Sequence, residues 1–226
     1  MKPIIKTDNV VRIFKSGIET VRALKGVSMD IDTGKLTVLR GRSGSGKTTL
    51  INLLGGLDVP DEGRIFFDNK ELTTMSEADR DKLRIHNVGF VFQSIALVSA
   101  MSAYENVEFG LRVAGYNSEE RKRRAENCLD LVGLSKRMSH RTHELSGGEQ
   151  QRVAIARAIA HKPKVVFADE PTAELDTHMG LQVVKLFKSL VEKDGLTVVM
   201  TTHDPNMMEV ADRVYTLEDG EIVDIQ

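Results

Sequence analysis

The chain has 226 residues, enough for one large domain or a core with a subdomain, and long enough to bury a sizeable core. Its 41% hydrophobic and 28% charged composition fits an ordinary soluble globular protein, and a net charge of −2 gives no reason to expect nucleic-acid binding through bulk electrostatics. A single cysteine, Cys128, excludes an internal disulfide and suits a reducing compartment, the N-terminus reads as too broken by charge for a signal peptide, and no apolar run approaches the roughly 20 residues of a membrane helix.

In chain order, Val10 to Phe14, Val27 to Ile31, Leu36 to Leu39 and Arg64 to Asp68 read as short strands, with Ile18 to Leu24 as an extended loop between the first two. A helix is predicted from Lys47 to about Leu57, stopping near Gly55-Gly56. Ser76 caps a helix to about Ile85, and Ser118 another through Val132 with Gly133 as its stop. Val88 to Gln93 is a strand entering a loop, and about 94 to 150 reads as a helical insertion. Then follow a helix from about Gly148 to His161, the strand Lys164 to Ala168, a helix from about His178 to Lys193 and the strand Thr197 to Thr202. Val214 to Leu217 and Ile222 to Ile225 flank the hairpin turn Glu218-Asp219-Gly220. Strands alternating with helices indicate an α/β fold with a mainly parallel sheet.

The stretch Gly41-Arg42-Ser43-Gly44-Ser45-Gly46-Lys47-Thr48 lies between an apolar strand and a helix. Its glycines let backbone N–H groups face inward, and the helix N-terminus adds a partial positive charge. Lys47 reaches outer phosphates, and the Thr48 hydroxyl, followed by Thr49, is a magnesium ligand. Asp169 and Glu170 end a buried-type strand. Asp169 can bind magnesium directly or through water, and Glu170 can orient the attacking water. Leu145 to Arg152 holds a second anion site, because Ser146 can cap a helix and Gly147-Gly148 allow close backbone approach. One nucleotide has little use for two such sites on one chain unless the second serves another subunit.

With these motifs in place, the chain resembles the nucleotide-binding subunits of ABC transporters over essentially its whole length. Residues 145 to 152 match that family's signature motif. The resemblance implies one ABC ATPase domain over 1–226: a P-loop NTPase (RecA-like) core, an antiparallel β subdomain, and an α-helical subdomain over about 94–150 with the signature. It implies ATP and Mg²⁺, a homodimer with two ATP molecules at its interface, and Ser146, Gly147 and Gly148 closing over the γ-phosphate held by the partner. Gln93 matches the Q-loop glutamine that senses magnesium and touches the membrane subunit, Asp176 the D-loop aspartate, and His203 the switch histidine at the γ-phosphate. Where the family usually stacks an aromatic residue, often tyrosine, on adenine, Phe14 is the candidate here; the alternative is a plain core residue.

The chain looks like the subfamily of macrolide exporters, lipoprotein-releasing ATPases and bacitracin-type peptide-resistance ATPases. That implies a position on the cytoplasmic face of the membrane, bound to integral permease subunits that transmit force rather than form a channel. A cell-division ATPase regulating cell-wall hydrolases is the alternative, which the ATP site cannot separate. A soluble cassette in DNA repair or translation fits poorly with one set of motifs and no heptad run. The remaining features have plainer readings: Arg121-Lys122-Arg123-Arg124 as a solvated helix face, Arg40 and Arg42 as solvent-facing with added positive charge near the phosphate as the alternative, Cys128 and Met207-Met208 as packing, and His140 and His143 as having no further metal ligands in sight.

Overall fold

The computed structural model describes residues 2–17, 19–173, 175–202 and 208–226. Among them, ten strands form two sheets. Strands β1 (Pro3–Ser16), β2 (Glu19–Asp32), β4 (Glu62–Phe67) and β5 (Lys70–Glu71) make an antiparallel sheet in the order β2-β1-β4-β5. The second sheet runs β10-β9-β3-β8-β7-β6, from β3 (Leu36–Arg40), β6 (Val88–Val91), β7 (Val165–Asp169), β8 (Thr197–Thr201), β9 (Arg213–Glu218) and β10 (Glu221–Ile225). Its pairings are parallel except the β9–β10 hairpin. That hairpin turns through Asp219 and Gly220, both at positive φ, as a tight two-residue turn requires.

The parallel sheet is buried on both faces, so its central strands read as continuous apolar runs. Val166, Ala168, Val198 and Met200 face one core with the helices. Val165, Phe167, Val199 and Leu39 face the other, which is shared with Ile5, Leu24 and Phe67 of the antiparallel sheet. Each fully buried large side chain contributes roughly 1.5–3 kcal/mol of transfer free energy. The two sheets thus clamp helix α1 (Lys47–Leu54), whose Leu50, Leu53 and Leu54 complete this second core.

The remaining helices are α2 (Glu77–Asn87), α3 (Ala103–Val113), α4 (Ser118–Leu131), α5 (Gly147–Ala160) and α6 (Thr177–Asp194). Helices α3, α4 and α5 pack pairwise, burying Val107, Leu111, Ala125, Leu129 and Val153. Helix α3 has no counterpart in the sequence reading, although Ser102 and Glu105 form a full capping box at its start.

Three other expectations are corrected. Residues 19–24 are not loop but the start of β2, because they pair with β1 as far as Ser16↔Glu19. Asn117, not Ser118, caps α4: its side chain accepts from the Glu120 N–H at 2.9 Å. The basic run on α4 is only half solvated. Arg121 bonds Glu108 and the Tyr116 carbonyl, and Arg124 lies 4.4 Å over the Tyr116 ring, so these two tie α4 to α3 and to the segment after it while Lys122 and Arg123 face solvent.

Candidate active site

Helix α1 begins without a side-chain cap and without an acidic residue in its first turn. Its first N–H groups therefore have no competing anion from the chain itself, which suits an anionic ligand. The loop before it is held against the antiparallel sheet. Gly46 sits at φ 101, and a Cβ there would come within 2.6 Å of the Ala23 carbonyl, so only glycine fits. Lys47 is buried, and its ammonium donates to the carbonyl oxygens of Gly41 (2.8 Å) and Arg42 (3.0 Å), which holds it along the loop. The buried Ser45 Oγ has no hydrogen-bond partner among the described residues. An uncapped helix start and a buried ammonium together fit a phosphate chain.

The acidic side of the site comes from the tip of β7. Thr48 Oγ1 donates to Asp169 Oδ2 at 2.8 Å. Asp169 Oδ1 accepts from Thr201 Oγ1 at 2.6 Å, and Thr201 Oγ1 in turn accepts from the Glu170 N–H at 2.8 Å. A hydroxyl and a carboxylate oxygen converging from α1 and β7 form the hard oxygen donor set that Mg²⁺ prefers. Glu170 adopts φ 45, unusual for a residue with a Cβ.

These groups border one cleft of about 430 Å³. Its lining includes Ser43, Gly44, Gly46, Lys47, Thr48 and Thr49, with Gln93 and Glu170 across from them. Gln93 and Thr48 also line an adjoining cleft that reaches Asp169. Gly41, Arg42 and Ser45 do not line the cleft. The remaining wall, Val21, Arg22, Ala23, Lys25 and Asp219, is absent from the sequence reading. It comes from β2 and the β9–β10 turn; the sequence reading placed 18–24 in a loop and Asp219 in a hairpin turn, and the signal it left unused was the basic pair Arg22 and Lys25.

Phe14 is 42% exposed, which removes the plain-core alternative. It stands directly opposite Val21 of the cleft wall. Arg12, two residues away on the same strand face, holds its guanidinium 4.9 Å over the Phe14 ring while Asp58 binds it through two hydrogen bonds. The ring is thus backed on one face by a fixed cation. Arg40 does not face solvent as expected. Its Nε donates to Thr216 Oγ1 at 2.7 Å, fastening β3 to β9. Arg42 is exposed.

The second anion site lies elsewhere. Ser146 caps α5 in a capping box with Glu149, and hydrogen bonding to the Ser146 backbone holds the Glu149 carboxyl below its usual range. Ser146 and Gly147 are exposed, and a Cβ at Gly147 would meet nothing within 4 Å. Ser146, Gly147 and Gly148 do not line the cleft over the glycine loop. Asp176 does not either; it caps α6 by accepting from the Met179 N–H at 2.9 Å. His203 and Met207 lie outside the described residues.

The profile of the family described as ABC transporter matches residues 24–173. An uncharacterized ABC transporter ATP-binding protein of Methanocaldococcus jannaschii is 41% identical over 222 residues, covering 98% of this chain and 99% of its own length. The macrolide export ATP-binding/permease protein MacB of Bartonella henselae is 41% identical over 220 residues, covering 97% of this chain but 33% of that protein. A solved dimeric structure of a post-hydrolysis state of an M. jannaschii ATP-binding cassette, bound to ADP and Pi, superposes with a TM-score of 0.94 at 40% identity, covering 98% of this chain and 97% of that one.

Proposed function

The chain belongs to the ABC transporter family and is an ATP-hydrolysing cassette, and from that premise we propose that two copies close head to tail over two Mg-ATP and drive a membrane permease. One observation carries the dimer. The cleft over the glycine loop has the residues to hold and cleave ATP but lacks 146–148, and of these Ser146 and Gly147 stand exposed at a capped helix start with no cover at Gly147. The dimeric relative supports it.

In this reading the N–H groups of Ser43 to Thr48 and the Lys47 ammonium hold the β- and γ-phosphates. Phe14, with Arg12 behind it, stacks on adenine, and Thr49 completes the cradle. Thr48, Asp169 and Gln93 would hold Mg²⁺, which when bound would offset charge on the phosphate oxygens. Glu170 orients the water for in-line attack and accepts its proton. His203 contacts the γ-phosphate. Ser146, Gly147 and Gly148 of the second copy donate hydrogen bonds to the same phosphate, and Asp176 lies beside them across the interface. Charge developing on the γ-phosphate then meets fixed donors from both copies.

The membrane partner is proposed on two grounds. Beside Gln93 runs a groove of about 390 Å³ whose apolar lining includes Phe90, Phe92, Phe109 and Val113, the last two exposed. Such a patch suits an apolar partner segment. The MacB relative is named as both ATP-binding and permease, and this chain covers 33% of it. Among the described residues no helix is long and apolar enough to cross a membrane. A place on the cytoplasmic face, held by a permease of the force-transmitting kind that exports or extracts peptides, lipoproteins or antibiotics, follows from the subfamily resemblance.

The test is turnover against protein concentration, joined to recovery of the membrane protein that co-purifies with the chain. Turnover per subunit should rise steeply through the dimerisation range, and the partner should be a permease with few spanning helices. Concentration-independent turnover far below that range would sink the dimer, and a soluble partner would sink the transport role.

A further inference from the structure

One buried hydroxyl touches both acids of the site. Thr201 closes β8 directly opposite Asp169 in the parallel β7–β8 ladder and is 0% exposed. Its proton goes to Asp169 Oδ1 at 2.6 Å and one of its lone pairs takes the Glu170 N–H at 2.8 Å. A hydroxyl has a single proton, so its donor capacity is fully committed to the carboxylate.

Two effects follow. The terminal torsion of an aspartate is broad and nearly two-fold, so a carboxylate at a strand tip is not oriented by its rotamer alone. Thr201 takes Oδ1, and that turns Oδ2 to Thr48 at 2.8 Å. Glu170 follows Asp169 at φ 45, a backbone conformation that L residues avoid and that persists only where the surroundings hold it. The bond to its N–H is such a hold. Strand packing does not call for threonine here. Val198, Val199 and Met200 show that β8 is an apolar strand, and valine would match both the volume and the β-propensity of Thr201.

We propose that Thr201 is a positioning residue: its hydroxyl sets the Asp169 carboxylate toward Thr48 and fixes the backbone from which Glu170 projects. The proposal rests on the reading of Asp169 and Glu170 as metal-holding and water-orienting groups.

The test compares Thr201→Val and Thr201→Ser with the wild-type chain. Four quantities are read: hydrogen exchange of the Glu170 amide, magnesium needed for half-maximal binding of a fluorescent ATP analogue, affinity for that analogue with magnesium chelated, and kcat with KM. Loss of the bond to the Asp169 carboxylate predicts, for Thr201→Val, about a tenfold or greater rise in magnesium requirement and a similar fall in kcat, and loss of the neutral bond to the Glu170 N–H predicts a rise of roughly 2- to 10-fold in its exchange. Affinity without magnesium should stay within about twofold, since the glycine loop is untouched by the change. Thr201→Ser should restore all of these. Should the valine variant not fold, Thr201→Ala carries the same comparison. Wild-type magnesium requirement and kcat in Thr201→Val overturn the proposal, as does a serine variant that fails like valine, or a Glu170 amide that exchanges freely in the wild type. A wild-type chain that neither binds nor hydrolyses ATP would overturn the reading of the site instead, while the exchange comparison would still judge Thr201.

Discussion

Thr48 Oγ1 and Asp169 Oδ2 meet at 2.8 Å although 121 positions separate them in the chain. One stands at the first turn of α1 and the other at the tip of β7, so the distance between them measures how well the glycine loop is docked on the parallel sheet. The pair predicts a specific loss. Thr48→Val keeps the shape and removes one hard oxygen donor, and should raise the magnesium needed for half-maximal turnover by roughly 10–100-fold. Binding of ATP in chelator should change little. A magnesium titration of ATPase activity decides it, and an unshifted midpoint would remove Thr48 from the metal site.

Glu170 gives the sharpest separation of binding from chemistry. Glu170→Gln keeps the size of the side chain and a hydrogen-bonding oxygen but removes the proton acceptor. Turnover should fall by roughly 10²–10⁴-fold, the usual worth of a positioned base. ATP should still bind, and size-exclusion chromatography with ATP should show a long-lived dimer. Ordinary turnover in this variant would take Glu170 out of the base role.

The parallel core was legible in the sequence because its strands are apolar runs bounded by Gly, Pro or charge, and the glycine loop because one strand and one helix must flank it. The hairpin at Asp219-Gly220 was legible for the same local reason. What was not legible depends on partners distant in sequence. Residues 19–24 are Glu-Thr-Val-Arg-Ala-Leu, with no clear alternation, and become strand only by pairing with β1. Arg121 and Arg124 look like surface charge until Glu108 and Tyr116 arrive from α3 and the segment after it. Thr201 is the strongest case. A threonine in a β-strand carries no signal of its own, and only the register against β7 puts its hydroxyl between two acids.

Phe14 was readable as a candidate only through the family resemblance, and its surroundings make it testable. The ring is exposed, and Asp58 fixes Arg12 behind it. Phe14→Ala should weaken ATP binding by about 1–3 kcal/mol, roughly 5- to 150-fold in Kd, which is the range found for a base stacked on an aromatic ring. Phe14→Tyr should bind as the wild type does. Isothermal titration with ATP and with inorganic triphosphate separates the sources: the alanine variant should lose affinity for ATP and keep it for triphosphate. Equal losses for both would place the effect in the loop rather than on the base.

Cys128 offers a reporter on the packing of α4. Burial pushes its thiol up to about 11 from 9.0. The folded state thus favours the protonated form. This contribution to stability is fully present below pH 9 and is lost as the pH rises through 11. At pH 8 the buried thiol therefore holds about a hundredfold less thiolate than the same cysteine in the unfolded chain. Iodoacetamide should label the folded protein about a hundredfold more slowly than protein in denaturant, with the rate still climbing above about pH 10. Similar rates in both states would mean that α4 does not hold Cys128 against the core.

Gly147 carries the test of the dimer that is least confounded by folding. It is exposed at the start of α5, and a Cβ there meets nothing within 4 Å, so a large side chain has room in the single chain. In a head-to-tail pair the same side chain would project into the partner's phosphate site. Gly147→Arg should therefore fold with an unchanged melting temperature and bind ATP with unchanged affinity through Lys47 and the glycine loop. Turnover should fall by roughly 10²–10³-fold, because the side chain keeps the donors at the start of α5 from closing on the partner's reacting phosphate. Mixing this variant with Lys47→Ala gives the decisive arm. A mixed pair has one site with an intact glycine loop and, facing it, an intact Gly147 from the other chain; with random pairing about half the pairs are mixed, so about a quarter of wild-type activity should return on mixing equal amounts of two inactive proteins. A mixture as inactive as its components would show that residues 146–148 do not serve a neighbour's phosphate, and the glycine loop would then have to act within its own chain.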